Sequence, residues 1–242
     1  LHKILLDTLE KGLREIGIES NKGQLDKLNL YYRLLIEYNK KVNLTAIVKP
    51  EEVAIKHFID SLTCLKAIGS MEKDSQILDL GSGAGFPGIV LKIYNDSFNI
   101  TLLDSLQKRI DFLNTVIEQL QLNKIRALHG RAEDFGKKGD HREKYRLVLS
   151  RAVADLAVLA EYCLPYTRIG GHFIAMKGAK AQDEIKGAMK SIETLGGAID
   201  EIYNIKLPIT GDERTLIKIK KIRPTPEKYP RKAGIPSKRP IK

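Results

Sequence analysis

Gly81, Gly83, Gly85 and Gly88 follow Asp79 at intervals of two and three residues. Two further acids, Asp104 and Glu133, lie downstream at about the spacing of one strand–helix unit each. Ile77-Leu78-Asp79-Leu80 reads as a buried strand, and the glycines that follow let backbone approach a ligand closely. Pro87 suits the first turn of a helix, where its missing N–H costs nothing. Strand, glycine turn and helix N-terminus together build a nucleotide-binding crevice. Asp104 ends the next strand, nineteen residues after Gly85, where a carboxylate can accept hydrogen bonds from both hydroxyls of a ribose. At a third strand end, Arg131-Ala132-Glu133-Asp134 offers backbone amides and an acid to an adenine edge. One such acid alone is more often a helix cap or a surface charge. Three of them around one glycine loop point to adenosine.

The same letters satisfy two cofactor motifs. Gly83-x-Gly85-x-x-Gly88 matches the dinucleotide fingerprint. Asp79-x-Gly81-x-Gly83-x-Gly85 matches the first motif of S-adenosylmethionine-dependent methyltransferases. A pyrophosphate at the helix N-terminus would be repelled by a carboxylate beside it, whereas S-adenosylmethionine has no phosphate and carries two cationic centres. Asp79 therefore favours the methyl donor. An NAD(P)-dependent oxidoreductase using the same crevice is the alternative enzyme. A non-catalytic RNA- or ribosome-binding protein on a methyltransferase fold is the alternative of another class, and intact Gly81, Gly83, Gly85, Asp104 and Glu133 argue against such decay.

These residues need a scaffold, and the hydrophobic spacing supplies one. Residues 2–18 carry Ile4, Leu5, Leu9, Leu13 and Ile16 at helical spacing, and residues 24–42 carry Leu28, Tyr31, Leu34, Leu35 and Tyr38. Pro50-Glu51-Glu52 opens a third helix with its acids in the first turn. Strands at 76–80, 99–104, 125–129, 147–150 and 172–177 then alternate with helices, and segments 198–207 and 215–222 form a closing strand pair. This order predicts an α/β fold with a mostly parallel sheet covered on both faces. The expected organisation is a helical extension over 1–70 packed on the core, an α/β domain over 71–222 and a basic tail over 223–242.

Composition bounds the rest. The chain has 242 residues, 43% of them hydrophobic, no Trp, and no apolar run approaching the length of a membrane span. Cys64 and Cys163 stand apart from any Cys/His cluster, so neither a disulfide framework nor a metal site is expected, and the reduced cytoplasm is the expected compartment. Net charge is +11, and its excess is concentrated at the C-terminal end. From Arg214 to Lys242 there are eleven Lys/Arg against the single acid Glu227. Such a block either solvates the chain or touches a polyanion. Five of the nine prolines fall in the tail, which is expected to have little regular structure.

The chain resembles the small-subunit ribosomal RNA guanine-N7 methyltransferase G family, also called the glucose-inhibited division protein B family. The resemblance spans almost the whole sequence. It is carried by Tyr38-Asn39-Lys40-Lys41-Val42-Asn43-Leu44-Thr45-Ala46-Ile47, by His57 with Asp60-Ser61-Leu62, by Gly83-Ala84-Gly85-Phe86-Pro87-Gly88, and by Asp104-Ser105. Arg131-Ala132-Glu133, Ser150-Arg151-Ala152-Val153-Ala154 and Lys228-Tyr229-Pro230-Arg231-Lys232-Ala233-Gly234-Ile235-Pro236 complete the set. It implies a Rossmann-like class I S-adenosylmethionine-dependent methyltransferase, with a seven-stranded mostly parallel sheet and an N-terminal helical extension. It further implies N7 methylation of one guanosine in the decoding-region hairpin of 16S rRNA, presented as RNA, subunit or assembly intermediate, by a monomer without membrane association. The cofactor-binding set is then Asp79, Gly81, Gly83, Gly85, Phe86, Asp104, Ala132, Glu133 and Arg151. Asn43, His57 and Arg151 become substrate-side candidates, and Lys40, Lys41, Arg231, Lys232, Lys238 and Arg239 candidates for contact with RNA phosphates.

Overall fold

A computed structural model describes residues 2–72, 74–137, 139–151, 154–179 and 181–241. Helix α1 (Lys3–Glu15) buries Leu5, Leu9 and Leu13, the stripe that its spacing predicts. Helix α2 (Lys22–Val42) begins two residues earlier than its apolar pattern, because Asn21 and Gln24 form a reciprocal capping box with both bonds at 2.9 Å. It ends at Asn43, whose φ of 48° breaks the helix. The third helical segment runs without interruption through α3 (Pro50–Val53), a widened π-helical stretch (Ala54–Ile59) and α4 (Asp60–Leu62), with a short α5 (Leu65–Ile68) behind it. Apolar spacing alone gives no sign of the widening, a feature that recurs at functional sites. It buries five of its six residues, His57 among them.

Among the described residues, seven strands form one sheet: β1 (Gln76–Leu80), β2 (Asn99–Asp104), β3 (Ile125–His129), β4 (Tyr145–Arg151), β5 (Thr167–Lys177), β6 (Gly197–Lys206) and β7 (Glu213–Lys221). Their spatial order is β3-β2-β1-β4-β5-β7-β6. The first five are parallel, and β7 runs antiparallel to both β5 and β6. Order reverses at β1, which lies between β2 and β4, so a crevice opens at the carboxyl ends of these strands. Alternation along β1 splits the core: Ile77 packs with Leu5, Tyr31, Phe58 and Phe112 on one face, Leu78 with Leu156, Phe173 and Ile217 on the other. Helices α6 (Gly88–Tyr94) and α7 (Gln107–Gln119) join the first face, while α9 (Leu156–Cys163) and α10 (Ala181–Thr194) cover the second. The one-turn helix α8 (Ala132–Phe135) follows β3.

The C-terminal segment departs from the expectation of little regular structure. Thr225, Tyr229, Pro230 and Pro236 are buried, and a final helix α11 spans Ile235–Lys238. Prolines leave this segment short of backbone donors, and one guanidinium ties carbonyls beside them to the α/β domain. Arg142 donates to the carbonyls of Gly136 (2.8 Å), Thr225 (2.7 Å) and Tyr229 (2.9 Å). Low hydrophobicity and proline content do not reveal this anchor, because it lies over eighty residues away in sequence. Ala152 and Val153 of the Ser150–Ala154 motif lie outside the described residues. Among the described residues no helix is long and apolar enough to cross a membrane.

Candidate active site

The loop after β1 is held by its own backbone. Gly81 and Ser82 donate to the Leu103 carbonyl at 2.8 and 3.2 Å, and Gly83 donates to Asp104 Oδ2 at 2.9 Å. Gly85 and Phe86 both donate to the Ser82 carbonyl. Gly88, the first residue of α6, donates to Asp79 Oδ2 at 2.8 Å. Pro87 precedes the helix instead of opening it. A pyrophosphate cradle needs these N–H groups aimed outward, and here they point into the protein. The place an anion would take at the α6 N-terminus is filled by Asp79.

This corrects the role read for Asp79, which was expected to face the ligand. It is fully buried behind the loop, its Oδ1 has no partner among the described residues, and it does not line the cavity. Burial pushes its carboxyl up to about 7 against the pull of the Gly88 N–H. Gly85 is likewise internal: a Cβ there, at φ 96°, would lie 2.6 Å from Ile89 and 2.7 Å from the Tyr31 hydroxyl. Gly83 is the opposite case. At φ 58°, a Cβ would meet nothing nearer than the Gly81 carbonyl at 4.0 Å, so it opens onto free space.

That space is a cavity of about 550 Å³ at the switch point, within the usual range for small-molecule sites. Gly81, Gly83, Phe86, Asp104, Ala132, Glu133 and Arg151 all line it. Asp104 also accepts from Leu106 N (3.0 Å) and pairs with Arg109 (3.1 Å), which fixes its carboxylate at the cavity edge. On the opposite side the wall comes from the helical extension. Arg151 Nη1 donates to Asp60 Oδ2 and to the Lys56 carbonyl, both at 3.0 Å, and its guanidinium lies 5.0 Å from the Phe86 ring centre. Asp60 takes a second guanidinium, Arg214, at 3.2 Å. His57 stacks on Phe86 at 4.4 Å and 18°.

His57 is held neutral. Burial first, and then the Arg151 charge, push its imidazole down to about 3. Nδ1 faces two partners, the Lys56 carbonyl at 3.2 Å and Arg151 Nη2 at 3.3 Å. Nε2 is hydrogen-bonded to Thr45 Oγ1 at 2.9 Å. Thr45 Oγ1 also accepts from Ile47 N at 3.0 Å. Asn43 itself does not line the cavity, but the next two residues, Leu44 and Thr45, do. Asn39 sets their turn, accepting from both backbone amides through Oδ1. Thr45, Arg109, Tyr162, Gly234 and Ser237 are wall residues that motif reading did not select. The Asn39…Thr45 run points to the first of them and the Lys228…Pro236 run to Gly234, whereas the others depend on distant packing.

Of the cations expected at RNA, Lys40 and Lys41 are exposed in the last turn of α2, and Lys232, Lys238 and Arg239 are exposed on the C-terminal segment. Arg231 is not free for that purpose. Its guanidinium grips the buried carboxylate of Glu161 at 2.5–3.1 Å, so its charge is neutralised inside the protein.

A family model described as rRNA small subunit methyltransferase G matches residues 24–214. The chain belongs to this family. A relative from Desulforamulus reducens named Ribosomal RNA small subunit methyltransferase G is 54% identical over 97% of each chain. Another of that name from Pelotomaculum thermopropionicum is 52% identical over 98% of this chain and 99% of its own. Among solved structures, M. jannaschii TYW2 in complex with AdoMet is similar at a TM-score of 0.53, with 13% identity over 67% of this chain and 77% of that one. TrmN from Thermus thermophilus also reaches 0.53, with 14% identity over 68% and 48%. At such identities the likeness concerns fold alone, a Rossmann-like class I methyltransferase. As a member of the methyltransferase G family, the protein is a methyltransferase whose loop, Asp104, Glu133 and Arg151 all fall inside the matched segment.

Asp79 and His57 give the family fold an opposing pH response. Between about pH 4 and 6.5 the native state holds a proton at Asp79 that the unfolded chain releases, and this contribution to stability falls as pH rises. Over the same window native His57 lacks a proton that the unfolded chain binds, and its contribution rises with pH. Asp79→Asn keeps the acceptor for Gly88 but cannot titrate. Urea denaturation of this variant should show stability rising with pH from about 4 to 6.5 more steeply than in the parent protein. Identical slopes would mean that Asp79 is charged throughout.

Proposed function

We propose that the protein transfers a methyl group from S-adenosylmethionine to N7 of one guanosine in the decoding-region hairpin of 16S rRNA. The observation that carries this reading is one shared cavity, in which the glycine loop, Asp104 and Glu133 meet Thr45 and His57 of the helical extension and Arg151 at the end of β4. The site fits the methyl donor on its own terms. Gly83 leaves room at the loop, Asp104 and Glu133 present carboxylates suited to ribose hydroxyls and an adenine edge, and the amides of Gly81, Ser82, Gly83, Gly85, Phe86 and Gly88 are all taken up within the protein. S-adenosylmethionine supplies an electrophilic methyl on a sulfonium. Guanine N7 has a free lone pair at neutral pH, so no base has to remove a proton before attack.

The chain's residues accordingly act by placement. His57, with both ring nitrogens engaged, holds the shape of the wall and is not a proton acceptor. Phe86 is 5% exposed and packed by His57, Tyr31 and Arg151, so it serves as floor and leaves little ring surface for a base. Arg151 beside a base that becomes cationic would hinder transfer if its charge were bare. Its pairing with Asp60, a carboxylate shared with Arg214, offsets part of that charge. N7 lies on an edge that A-form RNA hides, so the target enters unpaired or flipped.

The direct test incubates the protein with labelled S-adenosylmethionine and rRNA from a strain lacking the enzyme, then maps cleavage at N7-methylguanosine. Label at one 16S guanosine is expected, and an unlabelled rRNA would overturn the substrate assignment. For the RNA interface, Lys238→Ala with Arg239→Ala should flatten the plot of log affinity against log salt by about 0.7–0.9 for each phosphate that the two cations neutralise. An unchanged slope would make these residues a solvated surface.

A further inference from the structure

The C-terminal segment lies beyond residues 24–214 of the family match, yet two of its residues reach the cavity. Gly234 and Ser237 line it beside Tyr162, on the side of Ala132 and Glu133. We propose that residues 229–237 form a strap that completes the adenine-side wall of the methyl-donor pocket. The assignment rests on the reading of that pocket as an S-adenosylmethionine site.

Two clamps hold the strap. Gly234 N donates to Glu133 Oε1 at 2.9 Å, which orients the carboxylate that the cavity presents to adenine. A left-handed φ of 80° at Gly234 turns the chain so that this N–H points inward. The second clamp is Arg231, whose backbone N–H and guanidinium both bind Glu161, a residue only 1% exposed on α9. A buried carboxylate is costly to leave unmatched, so the strap is drawn down onto α9 and cannot drift from the pocket. Tyr229 and Pro230 seat its beginning in the core, and Pro236 seats α11. Ser237 is otherwise solvent-exposed, its hydroxyl donating to the Gly234 carbonyl at 3.2 Å. The wall is thus thin, made of a turn and one short helix, and it is positioned by an ion pair and by backbone bonds to the α/β domain.

Calorimetry on the full chain tests this with S-adenosylhomocysteine and with 5′-methylthioadenosine, which keeps adenosine and lacks the amino acid. Arg231→Ala should weaken both by about ten-fold or more, with an unchanged far-UV circular dichroism spectrum. Because that variant strands Glu161 and can lower stability, Ser237→Trp gives an independent readout at an exposed position of a chain without Trp. In it, methylthioadenosine should change the indole emission or bind about ten-fold more weakly. Unchanged affinity and emission in Ser237→Trp would overturn the strap, whatever Arg231→Ala does. So would a loss for S-adenosylhomocysteine alone, which would place the effect at the wrong end of the ligand. If the parent protein binds neither compound, the methyl-donor reading itself fails and the strap with it.

Discussion

Gly83→Asp is expected to abolish binding of S-adenosylhomocysteine, by about 100-fold or more, in a protein that still folds. Gly83 occupies the left-handed region at φ 58°, which Asp tolerates better than most residues, at a cost of about 1 kcal/mol. Its Cβ would point into the cavity and away from the core, so core packing is undisturbed. The new carboxylate would stand in ligand space and close to Asp104, to which Gly83 N donates, adding a like charge to the ribose end. Gly85→Ala provides the contrast. There the Cβ collides with Ile89 and the Tyr31 hydroxyl, and the damage should appear as about 1–3 kcal/mol of lost stability. Calorimetry and urea denaturation on the pair separate a pocket glycine from a packing glycine. Undiminished affinity in Gly83→Asp would show that the cofactor does not lie against this loop.

Periodicity carried much of the scaffold and spacing carried one half of the site. Strands β1, β2 and β3 have the bounds read from the sequence, and for β1 and β2 the reason is burial on both faces, which shows as a short hydrophobic stretch. Asp104 was legible because it is the last residue of β2, and Glu133 because it opens the one-turn helix just after β3. Asp79 was legible as a signal but not as a location. Its carboxylate lies two residues before the first glycine in either case, and only the fold shows that it caps α6 from behind. The other wall resisted reading. His57 sits on a helix of apolar residues, and its neighbour Thr45 reaches it across a turn that Asn39 sets through three hydrogen bonds. The fate of Arg231 was hidden as well. Charge counting treats all cations alike, whereas a buried carboxylate on a distant helix removes one of them from the RNA face.

Asp60→Ala should be the most disruptive single substitution in the wall that carries His57 and Arg151. Asp60 is 4% exposed and joins two guanidinium groups, Arg151 at 3.0 Å and Arg214 at 3.2 Å. Burial holds its carboxyl above the ordinary carboxylate range, and the two arginines offset only part of that rise. Removing it strands Arg151 and leaves Arg214 only the more distant Asp212, at 4.0 Å. Breaking a buried pair costs about 3–5 kcal/mol, and residual solvent at the arginines trims this to about 2–4 kcal/mol. Adding Arg151→Met to Asp60→Ala should recover part of the loss, since the cation that was stranded is then gone, so the double-mutant cycle should be strongly non-additive. Catalysis gives a second signature. With Asp60 absent, the bare charge of Arg151 would oppose the positive charge that develops on the base, so transfer should fall further than S-adenosylhomocysteine affinity. A change in stability below about 0.5 kcal/mol would mean that solvent screens the cluster. Equal losses in transfer and cofactor affinity would place Asp60 on the cofactor's side of the reaction and not on the acceptor's.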